Sequence, residues 1–547
     1  ERDGIFRIHE RVLLDGLKNG DKVDVEAYYS HTFPGTMPYE EPSTFSMDGL
    51  YPVRPFNKIS LVTLWEPLAE FLTNLDLLNK RYLSQNENTF ARAETEKAFV
   101  ELFKILPMQA SLLTERELNL ANEFLTKHLS SPAIKPFVGI IGHSHLDTAW
   151  LWKVEETRHK LHRTLSNAVT LLNRYPEYKF FLSTALYLKW IEEDDPALFA
   201  EVRRLVAEGR IEPNGSTWVE CDGNLTGAEP MCRQFVRGKR YLRQKFGFEA
   251  DTFWLPDTFG YSAALPQIMA SSGVKYFLTT KLSWNDTNRF PYETFRWQGI
   301  DGTAVTTHFN TIQSWVDEQS VAKRLNDVHN KRESNCALMA YGFGDGGGGP
   351  SDEMVKQAVF TEKTCNFADV RHVTVSEFMD KVSEQNLPTY YGELYLELHR
   401  GTFTTNHALK RNNRRLEEAL HDAELVSVFA GEDNKAKTDE LYDVLMLNQF
   451  HDILPGTCIA EATDIAIAEQ TQAIAQAKEI CAGVGDEARY FNTLGFARRE
   501  LLPSSSGVEY VDLDGNKQTL ALFEFAPYGY GKQTETKAML TFDGKRV

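Results

Sequence analysis

The chain has 547 residues, of which 42% are hydrophobic and 25% charged, a composition typical of globular proteins. At roughly 100 to 200 residues for each domain, this length predicts three or four domains. The formal net charge of −18 argues against nucleic acid or an anionic membrane as the main partner, because both bind a basic face. A small neutral substrate is compatible with this charge.

The sequence shows neither a membrane span nor a signal peptide. No apolar run approaches the ~20 residues of a span, and residues 1–4 lack the basic and apolar regions of a signal peptide. The six cysteines are scattered without a Cys-x-x-Cys pair, which predicts reduced thiols in a cytoplasmic protein. We therefore expect a cytoplasmic protein that binds neither nucleic acid nor membrane.

The pattern of apolar residues divides the chain into five parts. Residues 1–58 hold short strand-like runs broken by Gly and Pro, which indicates a partial N-terminal β unit, and residues 59–135 have Leu at helical spacing. In residues 136–390, short apolar runs alternate with longer amphipathic ones, which predicts β/α units around a largely parallel sheet. Residues 391–486 predict a helical bundle, and residues 487–547 turn strand-like, as at the beginning of a truncated C-terminal β domain.

The apolar run at residues 137–141 leads into a cluster of candidate metal ligands at residues 142–150. In an extended backbone, residues two apart point the same way, so His145 and Asp147 share a face, and His143 joins them if the strand continues that far. An imidazole and a carboxylate that converge suit a divalent ion such as zinc. A buried histidine with a partner aspartate is the alternative interpretation.

A second motif, at residues 254–262, places Asp257 at the end of another strand. Pro256 restricts the backbone there, and Gly260 permits a tight turn. Asp257 is therefore a candidate metal ligand, general base or nucleophile. The alternative is a helix N-cap, a position that favours Asp.

A third motif, at residues 447–457, ends a predicted helix with the pair His451 and Asp452, after which Pro455 and Gly456 turn the chain. His451 is a candidate ligand, and the alternative is a simple interaction with the helix C-terminus.

A fourth motif, at residues 341–350, follows a strand and leaves Asp345 on a loop whose next four residues are glycines. It lacks the Lys-Ser/Thr ending of a phosphate-binding loop. Such a loop between strand and helix often admits a ligand, and a flexible linker is the alternative.

These motifs resemble those of glycoside hydrolase family 38, the α-mannosidases, and occur in the family's order, at residues 143–150, 254–262, 342–350, 392–402 and 448–457. Residues 215–225 are more similar to the cytosolic and vacuolar branch than to the Golgi and lysosomal members. The resemblance implies a multidomain α/β fold: a β/α catalytic domain with about seven mostly parallel strands, a three-helix bundle and the start of a C-terminal β-sandwich region.

The resemblance also implies the roles of individual residues. Asp257 would be the nucleophile, Trp150 would stack on the sugar, and Asp452 would hydrogen-bond its hydroxyl groups. His143 would support the site without binding the metal. The implied ligands of one divalent metal ion, most often zinc, with Co²⁺ or another divalent ion as alternatives, are His145, Asp147, Asp257 and His451.

The chemistry of the sugar is consistent with these roles. Mannose has an axial O2 cis to O3, so one cation can chelate this diol and distinguish mannose from its epimer. A nearby cation also keeps Asp257 ionised, as a nucleophile requires, while the acid partner must stay protonated in a less polar setting. Two carboxyl groups in opposed environments are typical of retaining glycosidases.

The general acid is less clearly marked. In Golgi and lysosomal members an Asp follows the strand equivalent to residues 306–310, whereas here Asp317 comes only after a further stretch, residues 311–316. Asp345 is the first candidate, because a glycine-walled loop lets its carboxyl group approach a leaving-group oxygen. Asp317 is the second.

The resemblance therefore implies a retaining exo-α-mannosidase that removes terminal α-D-mannosyl residues from oligosaccharides by metal-assisted double displacement. A mannose-containing oligosaccharide is the expected partner, and a homo-oligomer is expected. The alternatives are a metal-dependent amidohydrolase or deacetylase, since His-x-His-x-Asp also opens binuclear hydrolase sites, and a non-catalytic carbohydrate-binding pseudo-enzyme.

Overall fold

The computed structural model of the chain describes residues 18, 20–22, 65–107, 109, 113–131, 135–482, 490–511 and 515–534. The chain divides into two compact units, Glu1–Ala69 and Glu70–Val547. The predicted N-terminal β unit, residues 1–58, lies almost entirely outside the described residues. Within the described ranges, no helix is long and apolar enough to cross a membrane.

Helices and strands follow one another in the order that the sequence pattern indicates. The helices are α1 Glu66–Ser84, α2 Phe90–Ile105, α3 Glu115–Ser130, α4 Val154–Arg174, α5 Ala185–Asp194, α6 Pro196–Ala207, α7 Ala228–Phe246, α8 Leu265–Ser271, α9 Glu318–Asp327, α10 Asp352–Thr364, α11 Val375–Ser383, α12 His407–Ala430, α13 Lys435–Asn448 and α14 Ala460–Ala482. The strands are β1 Phe137–His143, β2 Phe180–Leu182, β3 Ile211–Pro213, β4 Thr252–Trp254, β5 Tyr276–Thr279, β6 Thr294–Gln298, β7 Ala304–Phe309, β8 Thr311–Ser314, β9 Cys336–Tyr341, β10 Asp369–His372, β11 Thr389–Tyr391, β12 Arg498–Val511, β13 Lys517–Phe525 and β14 Lys532–Gln533.

The first sheet is six-stranded and parallel, in the order β3-β2-β1-β9-β8, with β10 also paired to β1. Strand β1 pairs with β9 over residues 137–142, and all seven of its residues are buried. A strand covered on both faces needs a continuous apolar run, which explains the sequence before His143. All these strands end towards the same edge, where the loops carrying His145 and Asp345 begin.

The second sheet is five-stranded, in the order β11-β6-β7-β5-β4, and is parallel except for the pair β6–β7. Strand β7 ends at Phe309 and β8 begins at Thr311, so Asn310 alone separates a strand of one sheet from a strand of the other. The backbone N–H of Leu338 in β9 donates to Nε2 of His308 in β7, 3.2 Å away. The two sheets are thus joined by both main chain and side chain.

The strand content differs from the expected number of about seven. Sheets of six and five strands together span residues 137–391, and the strands without a predicted counterpart are β6, β8 and β11. Strand β6 mixes buried and exposed residues, and β8 and β11 contain no fully buried residue. They therefore lack the apolar run by which a buried strand is recognised.

Three long helices, α12, α13 and α14, pack against one another and form the predicted helical bundle. Strands β12, β13 and β14 follow as an antiparallel sheet, which agrees with the strand-like pattern after residue 487. The bundle reaches the sheets through the segment after α13. There Phe450 pairs with Cys221, and His451 is fully buried.

Candidate metal centre and active site

The loops after β1 and β9 are tied together. The N–H of Asp147 donates to the carbonyl oxygen of Asp345 at 2.9 Å, and Leu146 forms a bridge with Gly346. The hydroxyl group of Thr157, in the first turn of α4, donates to the carbonyl oxygen of Asp147 at 3.0 Å. These bonds hold the side chains of Asp147 and Asp345 at one edge of the first sheet.

His145 and Asp147 lie side by side, as their spacing predicts. Nε2 of His145 is 3.1 Å from Oδ1 of Asp147, and both residues are buried. His143 lies elsewhere: strand β1 ends at this residue, and its ring stacks on Trp254 with the centroids 4.6 Å apart. Burial lowers the pKa of His143 to about 3, so the ring is neutral. The groups of ligand atoms that converge among the described residues do not include it.

Asp257 follows β4, and the structure excludes its alternative interpretation as a helix cap. The next helix, α8, begins at Leu265 with Ala264 as its N-cap. Asp257 instead faces the cavity, where Oδ1 pairs with Nζ of Lys281 at 2.8 Å and Oδ2 lies 3.9 Å from Nε2 of His451. One carboxylate oxygen is therefore held by an ammonium group, and the other points towards the histidine.

His451 comes from the helical bundle and is held by a backbone bond. Its Nδ1–H donates to the carbonyl oxygen of Glu220 at 3.0 Å, and this bond leaves Nε2 to face the carboxylates. Nε2 lies 3.6 Å from Asp147, 3.8 Å from Asp452 and 3.9 Å from Asp257. A His451 that only stabilised the end of α13 would not point its ring into this cluster.

The four predicted ligands converge in overlapping groups. Ligand atoms of His145, Asp257 and His451 lie within 4.8 Å of one another, as do those of His145, Asp147 and Asp345, and those of Asp147, His451 and Asp452. Buried atoms among them that have no hydrogen-bond partner in the described part of the chain are Nε2 of His145, Oδ1 of Asp147 and Nε2 of His451. Unpartnered buried polar atoms cost free energy, and a divalent cation would satisfy all of them. The residues therefore fit a metal site.

The electrostatics of the cluster also favour a cation. Burial lowers the pKa of His451, but the carboxylates of Asp147, Asp452 and Asp257 more than offset this and raise it to about 9. The carboxylates of Glu220 and Asp147 likewise raise the pKa of His145 despite its burial. Without a metal, the site would hold protons on its histidines, and a metal would displace them.

Asp345 adopts the left-handed conformation, with φ of +54°, and Gln313, which contacts it, has φ of +56°. Nε2 of Gln313 donates to Oδ1 of Asp345 at 2.7 Å. Non-glycine residues rarely adopt this backbone conformation, and two such residues in contact with each other are typical of a functional site. Burial raises the pKa of Asp345, and the carboxylates of Asp147 and Asp257 act in the same direction. A raised pKa is what a general acid requires.

Asp317, the second candidate for the acid, has a structural role. It is the N-cap of α9, where Oδ1 accepts from the N–H of Ser320 at 2.8 Å and Oδ2 from its hydroxyl group at 2.9 Å. Both oxygens are thus used, and Asp317 does not occur among the described residues that line the cavity.

A cavity of about 480 Å³ lies in front of the cluster. Trp150, half-buried, lines this cavity together with Asp452, whose carboxylate accepts from the hydroxyl group of Thr457. Trp284, which is half-exposed, also lines the cavity. Aromatic rings and a carboxylate in one cavity suit a sugar, which has both C–H faces and hydroxyl groups.

Sequence reasoning missed two residues of the site, Lys281 and Glu220. Lys281 comes two residues after the end of β5, so the rule that functional residues lie at C-terminal strand ends could have found it. Glu220 lies within residues 215–225, a motif used only for the resemblance. Its carboxylate is buried, and Oε2 lies 3.2 Å from Nδ1 of His145.

Comparison with known proteins identifies two domains. Residues 135–393 match the glycosyl hydrolases family 38 N-terminal domain, and residues 397–484 match the alpha mannosidase middle domain. The chain is 39% identical over 411 residues to Alpha-mannosidase 2C1 of Homo sapiens, which covers 71% of this chain and 39% of that protein. It is 40% identical over 341 residues to Alpha-mannosidase of Saccharomyces cerevisiae, which covers 58% of this chain and 32% of that protein.

The chain thus spans 39% and 32% of the lengths of these two curated relatives. Among solved structures, an alpha-mannosidase from Enterococcus faecalis V583 has the same fold, with a TM-score of 0.61 at 18% identity over 75% of this chain and 57% of that chain. The two matched ranges cover more than half of the 547 residues and contain every predicted site residue. The resemblance is therefore confirmed, and the chain belongs to glycoside hydrolase family 38, of which it carries the N-terminal and middle domains.

Proposed function

We propose that this protein is a retaining exo-α-mannosidase that hydrolyses terminal α-D-mannosyl residues of oligosaccharides. The observation that carries the proposal is the convergence of unpartnered ligand atoms of His145, Asp147 and His451 beside Asp257 at the cavity. Family membership favours this function over the amidohydrolase and the non-catalytic alternatives. A mannose-containing oligosaccharide is the proposed partner, and cytoplasmic location and homo-oligomeric assembly stay predictions.

His145, Asp147, Asp257 and His451 would hold one divalent metal ion, for which two nitrogen and two carboxylate ligands suit zinc, with Co²⁺ as an alternative. When bound, this ion supplies a positive charge that can chelate the cis O2 and O3 of mannose and stabilise Asp257 as a carboxylate.

Two carboxyl groups then share the chemistry. Asp257 attacks the anomeric carbon, and its charge and orientation are supported by the Lys281 ammonium group at 2.8 Å. Asp345, with its raised pKa, donates a proton to the departing oxygen. In the second step Asp345 accepts a proton from the water that displaces Asp257 from the sugar. Two inversions at the anomeric carbon give retention.

Trp150 and Asp452 bind the sugar in this proposal. Trp150 lines the cavity with its indole ring, which can stack on the C–H face of a pyranose. Asp452 is fixed by Thr457 and can accept hydrogen bonds from sugar hydroxyl groups. An exo-acting enzyme needs such a pocket for one terminal residue.

Hydrolysis of a chromogenic α-mannoside, before and after treatment with a chelator, tests the proposal. We expect turnover that is lost on chelation and restored by Zn²⁺ or Co²⁺. The matched β-mannoside and α-glucoside should not be cleaved, since only an axial O2 and an α-linked leaving group fit the proposed chemistry. Turnover that is insensitive to metal removal, or equal cleavage of the α-glucoside, would contradict it.

A further inference from the structure

Glu220 contacts both of the proposed histidine ligands, His145 and His451. Glu220 lies on the segment that crosses from β3 to α7, and it is almost fully buried. Oε2 of its carboxylate lies 3.2 Å from Nδ1 of His145, and its carbonyl oxygen accepts from Nδ1 of His451 at 3.0 Å. The first histidine lies in the loop after β1, and the second lies in the segment that follows helix α13 of the bundle.

Both contacts are made to Nδ1, so both rings leave Nε2 for the cluster. Nε2 of His145 lies 3.1 Å and Nε2 of His451 3.6 Å from the same oxygen, Oδ1 of Asp147. A neutral imidazole carries one proton, and the nitrogen that donates it to an acceptor leaves the other with a lone pair. A proton on Nδ1 of each ring therefore gives two Nε2 lone pairs that face one point.

The position of Glu220 is fixed from several sides. The hydroxyl group of Ser183 donates to Oε1 of Glu220, the N–H of Asp222 donates to the carbonyl oxygen of Gln449 at 2.8 Å, and the N–H of His451 donates to the carbonyl oxygen of Glu220 at 3.2 Å. A Cβ atom on Gly215 would lie 1.4 Å from the carbonyl oxygen of Ser183, so glycine is required there. The segment is thus packed closely against the end of β2 and tied to the residues after α13.

Glu220 is positioned to orient the histidine ligands, and it is not itself a candidate ligand of the metal. Its Oε2 and Nδ1 of His145 are both buried and make no hydrogen bond within the described part of the chain, and they face each other as an ion pair at 3.2 Å. The converging ligand groups of the described residues do not contain Glu220. A buried carboxylate beside the outer nitrogen of a metal-bound histidine is the usual means of fixing its tautomer and raising its basicity.

We propose that Glu220 is a positioning residue that sets the tautomer and orientation of both histidine ligands, with its carboxylate acting on His145 and its main-chain carbonyl on His451. This inference rests on the proposed metal site. It gives residues 215–225 a role in the site. It also explains how His145 and His451, which come from different parts of the fold, keep a fixed relative position, because the same residue contacts both.

The variant Glu220→Gln tests the carboxylate and leaves the main-chain bond to His451 in place. We expect the affinity for Zn²⁺, measured by competition with a chromogenic chelator, to fall about 10- to 100-fold. The absorption spectrum of the Co²⁺-loaded protein should change, because the ligand field of His145 changes. The thermal midpoint of the metal-free protein should fall only slightly: Glu220 also supports the protonated form of His145 there, but glutamine keeps the volume and its carbonyl oxygen can still accept from Nδ1.

Glu212→Gln is the matched control, because Glu212 is an equally buried carboxylate in the same domain but accepts from the N–H groups of Val375 and Ser376. It should lower the thermal midpoint and leave Zn²⁺ affinity unchanged. Ser183→Ala keeps the charge of Glu220 but frees its carboxylate, so it should weaken Zn²⁺ binding by a smaller factor.

The outcomes separate the two hypotheses. Wild-type affinity and Co²⁺ spectrum in Glu220→Gln would overturn the positioning role while the proposed function stood. A loss of Zn²⁺ affinity matched by an equal loss of metal-free stability would overturn it in favour of a purely structural role. Failure of the wild-type protein to bind Zn²⁺ or Co²⁺ would overturn the metal site itself, and the inference with it.

Discussion

Lys281 and Asp257 form an ion pair, with Nζ 2.8 Å from Oδ1, in which the lysine is buried and the aspartate is partly exposed to the cavity. The ammonium group also lies 4.1 Å from the centroid of the Trp284 ring, so Lys281 is held between a carboxylate and an aromatic face. The pair leaves Oδ2 of Asp257 free towards His451. One carboxylate oxygen is thereby fixed, and the other remains for the reaction.

Lys281→Met should therefore reduce turnover while keeping the size of the side chain. Loss of a hydrogen bond to a charged group is worth about 1.5 to 3 kcal/mol, which predicts a fall in kcat of roughly 10- to 150-fold if the bond acts in the transition state. The variant Lys281→Arg keeps the positive charge, so its kcat should fall less than that of Lys281→Met. Steady-state kinetics together with the metal content of each variant check this. Unchanged kcat, or a loss that follows loss of metal, would contradict it.

Asp257→Asn should abolish turnover and also remove one ligand charge from the metal site. The two effects are separated by measuring rate and metal content together, with metal restored to saturation. Full activity at restored metal would refute the nucleophile role. In the wild-type protein, proton NMR at early times should show α-mannose as the first product, because two inversions retain the anomeric configuration.

The sequence was sufficient to predict those ligands that lie close together in the chain or at the ends of buried strands. His145 and Asp147 are two residues apart after a continuous apolar strand, so their common face follows from backbone geometry alone. Asp257 and Asp345 follow recognisable strands as well. The helical bundle was predicted because its helices contain neither Gly nor Pro and two of them are long.

Contacts between distant segments could not be predicted in this way. Lys281 meets Asp257 only because β4 and β5 are neighbours, and Glu220 meets His451 only because the segment after α13 docks on the sheets. The open strands β6, β8 and β11 have no apolar run, and His143 was placed by its packing on Trp254. In each case tertiary packing, and not local pattern, decided the position.

Trp150→Ala should weaken sugar binding and leave the chemical step largely intact. Loss of a buried aromatic contact predicts a cost of roughly 1 to 3 kcal/mol, and KM should rise more than kcat falls. Trp315→Ala is a suitable control, because Trp315 is exposed and is not among the described residues of the cavity wall. Inhibitor affinity measured by calorimetry gives the comparison directly. Equal affinities in wild type and Trp150→Ala would exclude stacking.

His308 predicts a pH dependence of stability that is independent of the active site. Burial, with a contribution from Arg324, lowers its pKa well below 6.5. Below about 6.5 the unfolded chain takes up a proton that the folded protein does not, so the free energy of unfolding falls as pH drops, by about 1.4 kcal/mol per pH unit for one proton.

His308→Gln should make this dependence shallower by about one proton, because glutamine does not titrate and its carbonyl oxygen can still accept from the N–H of Leu338. Urea midpoints between pH 5 and pH 7.5 measure the slope. His407→Gln, at an exposed position on α12, is the control that should leave the slope unchanged. The same slope in wild type and His308→Gln would contradict the prediction.

The choice between Asp345 and Asp317 as general acid is best made from the leaving group. Asp345→Asn should reduce turnover of substrates with poor leaving groups, such as mannosyl disaccharides, far more than turnover of activated aryl mannosides, which depart with little protonation. Because the acid must be protonated, activity should decline as pH rises through the raised pKa of Asp345, and this alkaline decline should disappear in the variant.

Asp317→Asn should lower stability by about 1 kcal/mol or less through the weakened cap of α9, with no dependence on the leaving group. A retaining mechanism further requires the acid to lie about 5 to 5.5 Å from Asp257 in the substrate complex, too close for the water of a single displacement. Selective loss of disaccharide turnover in Asp317→Asn would reverse the assignment. Three observations favour Asp345 as the general acid: its left-handed conformation, the hydrogen bond that it accepts from Gln313, and its position on the cavity wall. The result for Asp317→Asn would then leave these features of Asp345 without a catalytic role.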